Sequence, residues 1–249
     1  MLSKLSVFRS GFHTDSAQAV ADASAEILAT LVDRSLIRAR HAGRFQIHEL
    51  IRQYAADKLQ QTGAGARTRY AHLTYFAQLF AQLETQVAGV PQPAALQTFD
   101  VEHDNLRFAL TWVLAGQPDA LETGETTVHW SAATKSQAAG NTAAWLVAHL
   151  GRFWAIQKHW SEGRMWVEKA LASASDAAAP TNQPDLQKSP AHLALRARLL
   201  FHAGLLASNQ DDYHQAHFAM QESLALHCHL QDRRGEIRCL HELGSIVNQ

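Results

Sequence analysis

The stretch Gly43-Arg44-Phe45-Gln46-Ile47-His48-Glu49-Leu50-Ile51-Arg52-Gln53-Tyr54-Ala55 decides how the chain is read. Phe45 and Ile47 alternate with Arg44 and Gln46, the period of a half-buried strand. Leu50, Ile51, Tyr54 and Leu59 then recur at helical spacing. A strand therefore runs directly into a helix, with His48 at the junction. The first backbone N–H groups of a helix have no partner inside it and carry partial positive charge, so such a junction suits recognition of an anion.

Toward the N-terminus, Leu2, Leu5, Val7 and Phe8 predict a short first helix closed by Gly11. Thr14 or Asp15 is suited to cap a second helix, and Ser24 a third that carries Ile27, Leu28, Leu31, Val32 and Leu36. Residues 36–40, the turn His41-Ala42-Gly43 and residues 44–47 predict a hairpin, because Gly43 can supply the positive φ that such turns require. Closed by the helix that runs to Gln61, residues 1–62 read as a winged-helix domain with a small β-hairpin.

Toward the C-terminus, Gly63-Ala64-Gly65 breaks the chain. A helix from Arg67 (Tyr70, Leu73, Phe76, Phe80, Leu83) and another from Phe99 to Leu114 then form a helical linker over 63–115. Residues 116–140 are rich in Gly, Thr, Ser and Ala without a sustained period, and read as an exposed, flexible loop. Residues 141–249 repeat. Leu150-Gly151 is followed by Trp160 and Ala170, Ala203-Gly204 by Tyr213 and Ser223, and Leu243-Gly244 begins the pattern again. The aromatic stands nine positions after the glycine in both complete copies. A small residue that lets two helices approach and an aromatic wedge at the turn are the physics of tetratricopeptide-like α-α hairpins, here with longer helices than the minimal repeat. Gly163 stands where Ala216 stands. The expected fold class is thus mainly α.

Composition narrows the function. With 22 Lys+Arg against 23 Asp+Glu in 249 residues, nothing overall points to nucleic acid or an anionic membrane. Cys228 and Cys239 are too few for a disulfide framework, which fits a reducing compartment. No apolar run approaches the roughly 18 residues of a membrane span, and no signal peptide is apparent, so a cytoplasmic location without membrane partners is expected.

Several segments in order carry a resemblance: Leu5-Ser6-Val7-Phe8-Arg9-Ser10-Gly11-Phe12, Ala29-Thr30-Leu31-Val32-Asp33-Arg34-Ser35-Leu36, Phe45 to Ala55, Glu102-His103-Asp104-Asn105-Leu106-Arg107, and the repeats. Together they resemble the region after the nucleotide-binding core of bacterial STAND signalling ATPases, the NB-ARC class, many of which are transcriptional regulators. In that family a Met-His-Asp motif at the winged-helix junction places its histidine on the β-phosphate of ADP and holds the switch off. Ile47, His48 and Glu49 fall on that motif. The resemblance implies that His48 contacts nucleotide phosphate, with Ile47 and Glu49 in support. It also implies that the repeats bind an effector protein or small ligand, and that oligomers form on activation.

The chain departs from the family in lacking a Gly-x-x-x-x-Gly-Lys-Ser/Thr phosphate loop, since Ala66-Arg67-Thr68 follows Gly63-Ala64-Gly65. Nothing here would cradle phosphates or position Mg²⁺, so no enzymatic activity and no cofactor are expected of this chain itself. ADP or ATP with Mg²⁺ would belong to a full-length parent whose nucleotide-binding domain is the intramolecular partner. A fragment of a larger protein is the simplest expectation.

The alternative reading is a free-standing winged-helix DNA-binding regulator with a helical effector domain, its third helix in a major groove. Residues 1–62 carry eight basic side chains (Lys4, Arg9, Arg34, Arg38, Arg40, Arg44, Arg52, Lys58) and six acidic ones (Asp15, Asp22, Glu26, Asp33, Glu49, Asp57), a weak surplus, so direct DNA binding is disfavoured. His214-x-x-His217 has helical spacing for two metal ligands. No Cys-x-x-Cys pair and no acidic residue at zincin spacing accompanies it, and no metal site is assigned. No Gly-x-Ser-x-Gly elbow marks a serine nucleophile, so no catalytic residue is assigned.

Overall fold

The computed structural model describes residues 1–87, 91–114, 132–175 and 189–247, and is mainly helical with one small antiparallel sheet. Two compact units comprise Met1–Leu79 with Gln97–Thr142, and Phe80–Leu96 with Ala143–Gln249. The segment 63–115, expected as a linker, therefore contributes residues to both.

The first unit opens with α1 (Leu2–Leu5), β1 (Phe12–His13), α2 (Thr14–Ala21) and α3 (Ala25–Asp33), followed by β2 (Ile37–Ala39), β3 (Arg44–Ile47) and α4 (Glu49–Gln61). Ser24 caps α3 as expected, its side chain accepting from the Ile27 N–H at 3.4 Å. The hairpin forms too, with positive φ at both Ala42 (59°) and Gly43 (70°). The strand order β1-β3-β2 adds a strand that the sequence does not announce. Phe12 pairs with Phe45 on one side of β3, and Ile37 with Ile47 on the other. Gly11 makes this possible: it adopts φ +98°, and a Cβ there would lie 2.7 Å from the Phe45 carbonyl oxygen. Two residues are too few for alternation to reveal, which is why β1 escapes a periodicity reading.

Helices α5 (Gly65–Glu84) and α6 (Pro93–Leu114) follow. In the first unit they bring Leu73, Phe76, Leu106 and Leu110 to a buried core with Phe8, Phe12, Leu28 and Ile37. His72 is fully buried in the same core, its ring 4.8 Å from Phe76, 5.1 Å from Phe8 and 5.9 Å from Phe108 between centroids.

Helix α7 (Ala132–Ile156), which enters the second unit at Ala143, precedes α8 (Trp160–Ser175), α9 (Pro190–Ser208), α10 (Tyr213–His229) and α11 (Arg233–Val247). The start of α7 corrects the loop expected over 116–140, because the chain is helical from Ala132. Alanine-rich sequence without proline favours helix intrinsically, even where no apolar stripe marks it. Residues 116–131 of that expected loop lie outside the described residues.

The sequence repeat is also a backbone repeat. Lys158 (φ 62°), Asp211 (φ 60°) and Gln231 (φ 57°) occupy the left-handed region in the turns after α7, α9 and α10. The residue after each donates its N–H five residues back: His159 to Trp154 at 3.0 Å, Asp212 to Ala207 at 3.0 Å, Asp232 to His227 at 2.9 Å. This is the bond that closes a helix whose next residue is left-handed. Small residues permit close packing within each pair, a Cβ on Gly163 falling 2.8 Å from Trp154 Cβ and one on Gly204 2.8 Å from Met220 Cγ. Ser223 Oγ donates to the Ala197 carbonyl at 2.8 Å, joining α10 to α9. Among the described residues, no helix is long and apolar enough to cross a membrane.

Candidate functional site

His48 sits where the sequence places it, between β3 and α4, and its side chain is exposed. It is the cap of α4: its backbone is extended (φ −64°, ψ 140°), and Nδ1 accepts from the Leu50 N–H at 3.4 Å. With Nδ1 accepting, a neutral ring carries its proton on Nε2, leaving a donor directed away from the helix. Ile47 is 8% exposed and anchors the end of β3.

Glu49 points elsewhere. Its carboxylate accepts from Arg52 Nε at 2.8 Å and from Gln53 Nε2 at 2.9 Å. The Arg52 hydrogen bonds, then that from Gln53, hold the Glu49 carboxyl down at about 2. Arg52 is itself buried and reaches the Ser6 carbonyl at 3.4 Å, so Glu49 braces α4 against the loop after α1. Leu50 and Tyr54, one helical turn apart on α4, are 70% and 63% exposed. The junction thus presents a hydrogen-bond donor and two apolar side chains to solvent.

The three wing arginines do not act together. Arg38 and Arg40 are exposed, whereas Arg44 is half-buried, ion-paired to the buried Glu102 and donating to the Ser10 carbonyl at 3.2 Å. The exposed positions of α3 are Ala25, Glu26, Ala29, Thr30 and Asp33, with no basic side chain among them. Glu102 also accepts from Asn105 Nδ2 at 2.6 Å, and the same amide donates to the Gly11 carbonyl at 3.0 Å and Ser10 Oγ at 3.1 Å. Asn105 Oδ1 in turn accepts from the Arg9 N–H at 2.7 Å. The polar residues of Glu102-His103-Asp104-Asn105 therefore include two that fasten α6 to the loop leading into β1.

A second site, absent from the sequence reading, lies in the second unit. A groove of about 630 Å³ is lined by Arg152, Arg198, Arg234 and Arg238 together with Glu84 and Asp232. Glu84 accepts from Arg198 at 2.7 and 2.8 Å and lies 2.7 Å from His149 Nδ1. Burial alone would raise the Glu84 carboxyl, but the His149 hydrogen bond and the Arg198 charge outweigh it and bring it down to about 2. A repeat alignment contains part of this site, since Arg198 and Arg238 each stand six residues before their glycine, Gly204 and Gly244. Glu84, from α5, carries no such signal.

No family model matches the chain, and no curated protein or solved structure matches it.

Proposed function

We propose that this chain is the regulatory and sensing portion of a STAND-type nucleotide switch, acting in transcriptional regulation. In this reading residues 1–62 are a winged-helix arm, residues 141–249 are tetratricopeptide-like repeats, and the repeats bind an effector. The arm docks on a separate nucleotide-binding core that holds ADP and Mg²⁺, with His48 Nε2 donating to a phosphate oxygen.

The observation that carries the reading is the exposed His48 side chain capping α4 at the strand-to-helix junction, on a helix that also exposes Leu50 and Tyr54, side chains suited to docking on another domain. Glu49 supports it by fixing the first turn of α4 through Arg52. An effector moves such a switch only by its difference in affinity for the two states.

The test is His48→Ala in the complete switch protein, followed by the rate of release of a fluorescent ADP analogue. Release should accelerate by about tenfold, the equivalent of one charge-assisted hydrogen bond. Folding stability should fall by less than about 1 kcal/mol, because the cap is exposed. Unchanged release overturns the reading.

A further inference from the structure

The groove of the second unit combines a repeated element with an unbalanced charge. Arg198 of α9 and Arg238 of α11 occupy equivalent places in successive copies of the repeat, six residues before Gly204 and Gly244. Each guanidinium lies over an aromatic ring, Arg198 at 5.6 Å from the Trp145 centroid and Arg238 at 5.2 Å from that of Phe201. A planar cation resting on a ring is oriented before any ligand arrives, which lowers the entropy lost on binding.

The two carboxylates of the groove are already engaged. Glu84 is held by Arg198 and His149, while Asp232 caps α11 through the Gly235 N–H at 3.1 Å and lies 2.9 Å from His227 Nδ1. Among the described residues Arg152, Arg234 and Arg238 form no ion pair. Among the described residues, four guanidinium groups against two carboxylates leave an excess of two positive charges, and no third carboxylate lines the groove. Ala194 and the exposed Ile237 add apolar side chains to the lining. The volume of about 630 Å³ falls within the range of small-molecule sites.

We propose that this groove binds a small organic dianion, a phosphomonoester or a dicarboxylate with a compact apolar body, through Arg152, Arg234 and Arg238. Arg198, fixed by Glu84, forms the wall against which the ligand seats. The proposal names the chemical class of effector for the repeats, and so rests on the sensor reading for its role but not for its binding. Arginine serves both ligand types because its fork matches two oxygens of either a phosphate or a carboxylate.

The experiment is isothermal titration of the 249-residue chain with phenyl phosphate, phthalate and inorganic phosphate at low and physiological salt. Phenyl phosphate or phthalate should bind with a dissociation constant below roughly 1 mM, weaken with salt, and exceed inorganic phosphate in affinity. Arg238→Gln and, at the exposed rim, Arg234→Gln should each weaken binding about tenfold with unchanged circular dichroism. The stronger of the two organic probes identifies the class. Binding of neither, or binding that the arginine variants leave unchanged, overturns the proposal. His48→Ala should bind the probes normally, so failure here and failure at the nucleotide junction are separate results.

Discussion

Gly151 has room for a hydrogen atom and nothing larger. A Cβ there would lie 2.1 Å from Cγ of His202, whose ring is 3% exposed and hemmed in by the helix pairs. Gly151→Ala is therefore expected to destabilise the second unit by about 2 kcal/mol or more, as overpacking of a closed core does. The check is the urea midpoint, and the same measurement on Gly151→Ala combined with His202→Ala. Because the second change removes the atoms that the first collides with, the double variant should be more stable than the two separate losses predict. Strict additivity would show that the two residues do not share the contact. The glycine was legible in the sequence as a repeat marker. Its partner was not: the repeat reading assigns it to close approach within a helix pair, as Gly204 does show, whereas Gly151 of α7 admits a side chain from α9 of the next pair. The local pattern reveals that a position must be small but not which neighbour makes it so.

At the scale of elements, the loop between α1 and β1 depends on α6. Asn105 accepts from the Arg9 N–H and donates to the Gly11 carbonyl, and it is fully buried. Asn105→Ala leaves both backbone groups without that partner inside the first unit, at a cost of about 2–4 kcal/mol. Hydrogen exchange should show where the loss falls. Protection should drop at residues 9–13, which carry the short pairing of β1 with β3, while α4 keeps its protection. Equal loss throughout the unit would mean that Asn105 supports the core in general and not that loop. The strand, the helix after it and the cap at Ser24 all follow from local sequence, since period and capping chemistry act over a few residues. The fastening by Glu102 and Asn105 does not. Its bonds to Arg44 and Arg9 span 58 and 96 residues, and from sequence such polar side chains look like the solvated face of a helix. The Arg198–Glu84 pair leaves no local signature for the same reason, its partners lying 114 residues apart.

Over the whole molecule, fifteen histidines make acid the informative perturbation, and the buried rings of His72 and His202 resist the proton that a free imidazole takes up below about pH 6.5. Burial pushes the imidazoles of His72 and His202 down to about 3, outweighing in His72 the opposing effect of the neighbouring Asn105 amide. Each is neutral in the folded chain at a pH where its unfolded counterpart, titrating near 6.5, is protonated. Unfolding then takes up a proton, so the stability each confers is complete above about pH 6.5 and is lost as the pH falls toward 3. Glu84 acts in a lower window. Its depressed carboxyl stabilises the fold above the ordinary carboxyl range and ceases to do so as the pH falls through 4.5 toward about 2. Denaturant unfolding followed from pH 7 to pH 4 should accordingly lose stability first through the imidazoles. The slope approaches about 1.4 kcal/mol per pH unit for each buried ring once the pH is well below 6.5. His72→Leu should remove that increment from the transition that reports the first unit, followed by hydrogen exchange at Phe76 and Leu110, and leave it in the second. If the slope between pH 6 and pH 4.5 is the same with and without His72, its ring is already charged or solvated in the folded state, and the dry aromatic cage around it does not hold.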